Sequence, residues 1–197
     1  MNVVIVDTGC ANLASVGFAL DRIGAKKTIT KDPKKIKKAK RVILPGVGAA
    51  PFAMQNLRER ELVETLQNLT QPILGICLGM QLLFNFTEEG EVPALGMVHG
   101  RVLDLETGNQ PSPHMGWNTL ENVADDPLLK GVNSGDYAYF VHSYAVPVDH
   151  YTLASTTHGD TFSAIIRQDN IFGCQFHPER SGATGARILE NFLKASL

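Results

Sequence analysis

Pro72-Ile73-Leu74-Gly75-Ile76-Cys77-Leu78-Gly79-Met80 is the stretch on which the fold turns. Its first half is a short, continuous apolar run behind a proline, the pattern of a strand buried on both faces. Its second half sets one cysteine between Gly75 and Gly79, where the strand passes into an apolar segment that reads as a helix over 80–86. Glycines flanking a nucleophile permit the tight, strained turn of a nucleophile elbow, which exposes the central side chain at the end of a parallel sheet. The N–H groups at the head of a following helix favour a thiolate and can hold an anion. By itself the five-residue pattern suits a buried structural cysteine equally well, so the rest of the chain has to decide.

Upstream, 2–6 reads as a buried strand, Asp7-Thr8-Gly9 as a turn, and Leu13, Val16, Phe18, Leu20 and Ile23 as the inward positions of a helix that stops at Gly24. Asp32-Pro33 offers an N-cap and a first-turn proline to a short basic helix ending near Lys40. A strand at 41–44 then runs into the turn Pro45-Gly46-Val47-Gly48, and Leu57, Leu62, Val63, Leu66 and Leu69 recur at roughly helical spacing before the cysteine strand. Beyond Val92 the texture changes to short β-like runs at 100–105, 137–141, 152–155 and 162–166, parted by Gly, Pro and Asn. The chain closes with a strand at 171–176, a break at Pro178, and a helix over 185–194 that turns Ile188, Leu189, Phe192 and Leu193 inward. The predicted class is therefore α/β: a mostly parallel central sheet flanked by helices on both faces, with an antiparallel extension. In such sheets ligands gather beyond the carboxyl ends of the strands, which here carry Gly9, the 46–48 loop and Cys77.

Composition bounds the function. The 197 residues suit a single domain, 1–197, with no room for a second catalytic one. With 44% hydrophobic and 19% charged residues and a formal charge of -2, the chain reads as an ordinary soluble protein whose overall charge names neither a nucleic-acid nor a membrane partner. The apolar run Val3-Val4-Ile5-Val6 follows Met1 without a basic region or a long apolar stretch, so no signal peptide or membrane span is expected, and the cytoplasm is the default. Three scattered cysteines without a CxxC pair argue against a disulfide framework and a zinc site, and no nucleotide or cofactor motif is present. Cys10 and Cys174 lack the elbow setting and read as structural. The basic residues between Lys26 and Arg41 read as a solvated helix face, with phosphate or nucleic-acid binding as the alternative.

A distant histidine completes the cysteine's chemistry. In Gln175-Phe176-His177-Pro178-Glu179 the proline stops the strand just after His177, so the imidazole should project at the same sheet edge as Cys77. Glu179, two residues on, can accept the second ring proton, hold the tautomer and stabilise the imidazolium. Alone, His-Pro-Glu could be a strand-ending turn with a surface carboxylate. His99, His114, His142, His150 and His158 mostly occur in turn-rich segments with no local acidic partner or ligand spacing and read as solvated or hydrogen-bonded structural residues.

The run 75–81 together with Phe176-His177-Pro178-Glu179 resembles the class I, triad-type glutamine amidotransferases, with matching elements in order through essentially the whole chain. Asp7-Thr8-Gly9 with Asn12-Leu13, Pro45-Gly46-Val47-Gly48, His114-Met115-Gly116-Trp117-Asn118 and 139–144 resemble the branch that serves imidazole glycerol phosphate synthesis within histidine biosynthesis. The resemblance implies hydrolysis of the glutamine carboxamide to glutamate and ammonia by Cys77, His177 and Glu179. It implies an oxyanion hole made by the N–H of Leu78 and one from the Gly46-Val47-Gly48 loop, where the family's pattern has a peptide reorient before it donates; the loop's other reading is an ordinary strand-to-helix turn. It places glutamine between that loop, Gln81 and the backbone near His142 and Ser143.

The same resemblance implies a (β/α)8 barrel cyclase as heterodimer partner and ammonia acceptor. That partner would cover the Cys77 edge, with Asn12, Trp117, Asn118, Tyr139 and Arg180 as interface candidates; Trp117 suits a core anchor equally well. Two other enzymatic readings remain open, a stand-alone cysteine hydrolase or amidase and the glutaminase subunit of another synthase. A non-catalytic binding subunit fits less well, because cysteine, histidine and glutamate are all present in matching surroundings.

Overall fold

The computed structural model describes residues 2–194; Met1 and 195–197 lie outside the described residues. The chain runs β1 (Asn2–Val6), α1 (Leu13–Arg22), β2 (Lys26–Thr30), α2 (Pro33–Lys37), β3 (Arg41–Gly46), α3 (Ala50–Glu59), α4 (Val63–Gln67), β4 (Ile73–Cys77) and α5 (Leu78–Gln81). It continues through β5 (Phe84–Thr87), β6 (Val92–Pro93), β7 (Val98–Asp104), β8 (His114–Thr119), β9 (Tyr137–His142), β10 (Tyr144–Ala145), β11 (Thr152–His158), β12 (Asp160–Gln168), β13 (Ile171–Cys174) and α6 (Gly182–Lys194).

A seven-stranded sheet in the order β11-β12-β13-β4-β3-β1-β2 forms the centre. β13, β4, β3, β1 and β2 are parallel, and β11 and β12 add the antiparallel extension. Alternate residues of the central strands supply opposite faces, as the period of two requires. Val3, Ile5, Ile43, Leu74 and Ile76 join one apolar cluster with α1 and α6. Val4, Val6, Val42, Leu44 and Ile73 join the other with α3 and α4. Beside this sheet stand a four-stranded sheet, β10-β7-β5-β6, and the hairpin β8-β9. Among the described residues, no helix is long and apolar enough to cross a membrane.

Several local expectations give way to tertiary pairing. The expected helix at 80–86 is a single turn, α5, and Phe84 already belongs to β5. The carbonyls of Leu82, Leu83 and Phe84 accept from Leu95, Met97, Val98 and Gly96 at 2.8–2.9 Å, which takes the acceptors a longer helix would use. Phe18, counted as inward, is 64% exposed because it falls on the face of α1 opposite Val16 and Leu20. The spacing from Leu57 to Leu69 belongs to two helices, parted at Glu61 with its φ of 57°. β2 and β8 were not expected; β2 is a lysine-bearing strand at the sheet edge, where such residues are tolerated. The closing strand ends at Cys174, although Gln175 still donates to the Ala164 carbonyl at 2.9 Å, and α6 starts three residues before position 185.

Candidate active site

Three neighbouring strands end together. β4 finishes at Cys77, which sits in register with Gly46 at the end of β3, and β13 finishes beside them at Cys174. Cys77 has φ 53° and ψ -116°, a conformation that a side-chain-bearing residue rarely adopts. Close packing imposes it: a Cβ on Gly79 would lie 1.8 Å from the Leu44 carbonyl oxygen, and one on Gly75 would lie 2.6 Å from the Met80 Cα. The two glycines are thus the condition for the helix turn to lie across β3 and β4, which lifts the cysteine side chain to the sheet edge.

His177 reaches the same edge on a clamped loop. Its N–H donates to the Tyr139 carbonyl at 2.9 Å, and its own carbonyl accepts from Ser181 Oγ at 2.7 Å. Ser181 Oγ in turn accepts from the Tyr139 N–H at 2.9 Å, tying β9 to the turn Pro178–Arg180. His177 Nδ1 stands 2.8 Å from Glu179 Oε1, which leaves Nε2 free to serve the Cys77 side chain in the cavity the two residues share. Burial disfavours the imidazolium, but hydrogen bonds to Cys77 and Glu179 and their charges outweigh it and push His177 up to about 10. The Glu179 side chain is 3% exposed. Around the sulfur also stand the Val141 carbonyl oxygen at 3.6 Å and Gln175 Nε2 at 4.0 Å. Cys174 is fully buried, and burial pushes its thiol up, as suits a structural residue.

A cavity of about 320 Å³ opens over this cysteine, lined by Val47, Gly48, Cys77, Leu78, Gln81, His142, Ser143 and His177, together with Glu89, Pro113, Val141 and Tyr144. All six residues expected to touch substrate or oxyanion therefore line one cavity with Cys77 and His177. Glu89 was not foreseen. Its Oε2 accepts from the Ala50 N–H at 2.8 Å, a contact made across 39 positions of sequence that no local pattern marks. Gln81 Nε2 donates to the Tyr144 carbonyl at 2.8 Å. In the glycine loop the Val47 N–H donates to the Cys10 carbonyl at 2.9 Å, so it is engaged away from the sulfur, and Gly48 has φ +88°. A larger open depression of about 1080 Å³ runs along 123–134 and holds neither Cys77 nor His177.

The imidazoles of His114 and His142 are buried and hydrogen-bonded to each other at 3.0 Å, the bonded reading of the two open to them. Trp117 is 55% exposed, which removes the core reading for it. It meets Tyr139 edge-on at 5.8 Å, and the Arg180 guanidinium lies 4.5 Å over the Tyr139 ring, next to the loop that carries His177. The Asn12 side chain caps α1 through Ser15, while Asn118 Nδ2 reaches His114 at 3.2 Å and the Thr157 carbonyl at 3.0 Å. The lysines of α2 are exposed, in keeping with a solvated face.

A parallel α/β sheet with a strained cysteine elbow, and a histidine bonded to a buried carboxylate at the adjoining strand end, defines a triad-type amidase architecture. Residues 4–196 match the family described as glutamine amidotransferase class-I, and the chain belongs to that family. It is 55% identical over 197 residues to the imidazole glycerol phosphate synthase subunit HisH of Idiomarina loihiensis, covering 100% of each chain. With the protein of the same name from Haemophilus influenzae (strain KW20) it shares 52% identity over 194 residues and 98% of each chain. Among solved structures, a putative GMP synthase component from Thermoplasma acidophilum superposes with TM-score 0.75 at 20% identity, over 98% of this chain and 92% of that one. PurLQS from Thermotoga maritima does so with TM-score 0.69 at 18% identity, over 98% and 97%. These two likenesses establish the fold alone.

Proposed function

We propose that this single-domain chain is the glutamine-hydrolysing subunit of an imidazole glycerol phosphate synthase, and that it passes ammonia to a (β/α)8 barrel cyclase subunit in the cytoplasm. One observation carries the chemistry: Cys77 stands on a strained elbow and shares its cavity with a His177 whose Nδ1 is held by Glu179 at 2.8 Å. Full-length identity of 50–55% to proteins named as subunits of that synthase supports the pathway and the dependence on a partner.

Cys77 attacks the glutamine carboxamide carbon, and His177 protonates the departing ammonia. His177 then activates water, which hydrolyses the glutamyl thioester to glutamate and restores the thiolate. Glu179 keeps the imidazole oriented and stabilises its charge through both half-reactions. Leu78, first in the turn after the nucleophile, supplies one N–H to the oxyanion. The second comes from Val47 once its peptide leaves the Cys10 carbonyl, a rotation that the flanking glycines permit. The amino-acid end of glutamine sits against Glu89 and the carbonyl oxygen of Gln81, a carboxylate and an acceptor suited to an ammonium group.

The Val47-to-Cys10 hydrogen bond equally suits an ordinary strand-to-helix turn, and the reading of it as a resting site that waits for its partner rests on the family resemblance. Asn12, Trp117, Asn118, Tyr139 and Arg180 are the interface candidates, and the Arg180–Tyr139 stack supports a link from that face to His177. The test is glutamine hydrolysis by the chain alone, with the cyclase, and with the cyclase and its nucleotide substrate. Hydrolysis should be weak alone, rise in the complex, and vanish in Cys77→Ala. Steady activity indifferent to the cyclase would instead mark a stand-alone hydrolase, and activity surviving Cys77→Ala would remove the nucleophile assignment.

A further inference from the structure

Gln175 is fully buried and takes no part in the chemistry above, yet its surroundings determine which way its carboxamide faces. A backbone carbonyl only accepts, so the Gln81 atom 2.8 Å from the Tyr144 oxygen is the amide nitrogen Nε2. The same nitrogen lies 3.0 Å from the Gln175 side chain, whose atom there must be the acceptor Oε1. The Gln175 Nε2 is thereby turned toward the Cys77 sulfur, 4.0 Å away. Amide orientations are assigned from such networks, and here one backbone carbonyl sets two of them.

We propose that Gln175 is a positioning residue for the nucleophile: anchored through Gln81 to the Tyr144 carbonyl, it directs an N–H at the Cys77 sulfur and holds the thiolate beneath the substrate cavity. The proposal rests on Cys77 being the nucleophile. The sulfur needs such a donor, because the Val141 carbonyl oxygen at 3.6 Å accepts from a thiol S–H but turns a lone pair on a thiolate. His177 donates to the sulfur too, but gives that proton to the departing ammonia. The Gln175 amide keeps its protons throughout, so it is still donating when the thioester breaks and the bonding electron pair returns to sulfur. The titratable groups that face the sulfur are His177, Glu179 behind it, and His142, Tyr144 and Glu89 around the cavity.

The experiment is alkylation of Cys77 by iodoacetamide in the full chain, read at the Cys77 peptide by mass spectrometry across a pH series, for the native protein and Gln175→Met. Loss of one hydrogen bond to a charged group predicts a midpoint raised by about one unit, and hence a rate lower by about tenfold at pH values below the native midpoint. A folded variant with an unchanged profile overturns the proposal, even if its melting temperature falls, since a merely structural role moves stability alone. Should Gln175→Met fail to fold, Gln175→Leu removes the N–H with a side chain of similar bulk and adds neither a charge nor a new donor. It must move the profile the same way, and an unchanged profile again overturns the inference. Native Cys77 reacting no faster than the half-buried Cys10 would instead count against the assignment of Cys77 itself, whatever the Gln175 variants do.

Discussion

Acidification from about pH 7 to about pH 5 should remove a defined share of the stability through two buried imidazoles. Burial, then the charge of neighbouring His158, brings His114 down to about 4. Burial brings His142 down to about 3, against the hydrogen bond to the Tyr144 carbonyl and with help from His114, His158 and His177. In the unfolded chain each titrates near about 6.5. A base whose folded pKa is depressed leaves the unfolded chain to take up protons first, so its contribution is intact above about 6.5 and is lost as the pH falls toward the folded value. At about pH 5 the folded rings remain neutral while the unfolded ones are charged, which costs about 2 kcal/mol per ring. That figure hardly depends on the folded pKa so long as it lies below about 4.5.

His177 has the opposite sign. Its folded pKa is raised to about 10, so its contribution is full below the unfolded pKa and is lost as the pH rises through about 10. Over the same acid interval it returns a little under about 1 kcal/mol, leaving a net loss of about 3 kcal/mol. Urea unfolding at the two pH values, for the native chain and for His114→Gln, isolates the effect, because other titrating groups cancel between the two proteins. The variant should lose about 2 kcal/mol less than the native chain. Equal losses would refute the reasoning, since His114 would then be no more neutral in the folded chain than in the unfolded one.

Two substitutions probe the scaffold of the site. Gly79→Ala would drive a Cβ to 1.8 Å from the Leu44 carbonyl oxygen, so the variant should be insoluble or destabilised by about 3 kcal/mol or more. A thermal melt within about two degrees of the native protein would contradict that packing. Ser181→Ala removes the acceptor of the Tyr139 N–H and the donor to the His177 carbonyl. It should cost about 1 to 3 kcal/mol in equilibrium unfolding. Glutamine turnover in the complex should fall further than stability alone accounts for, because the loop that aims His177 is released.

Much of the framework was legible because it is local. Gly75 and Gly79 mark the elbow by their spacing around Cys77, although only Gly75 answers a contact five residues on, at Met80, while Gly79 answers to Leu44 on the neighbouring strand. The apolar runs at 2–6, 41–44, 73–76 and 171–174 announce strands buried on both faces, and Pro178 marks where the last must stop. What escaped the linear reading was settled by partners far along the chain. The segment 80–86 looked helical because it is an apolar run after a turn, and the carbonyl captures by 95–98 together with the pairing of β5 to β6 and β7 make its second half extended. β8 has no strand alternation of its own and is ordered by pairing with β9.

The sequence by itself determined that one cysteine would be set at a strained turn after a buried strand, with a histidine and a glutamate behind another strand end. Short-range sterics and hydrophobic period suffice for that. Only the tertiary structure decided that Glu89 enters the cavity, that Trp117 faces outward, and that Ser181 clamps the His177 loop. It also decided that the Val47 N–H is held by Cys10 and that the Gln175 amide is turned to the sulfur. Each of these depends on a directional hydrogen bond or a buried surface between segments tens of residues apart, whose meeting is fixed by the sheet order and not by any neighbouring residue.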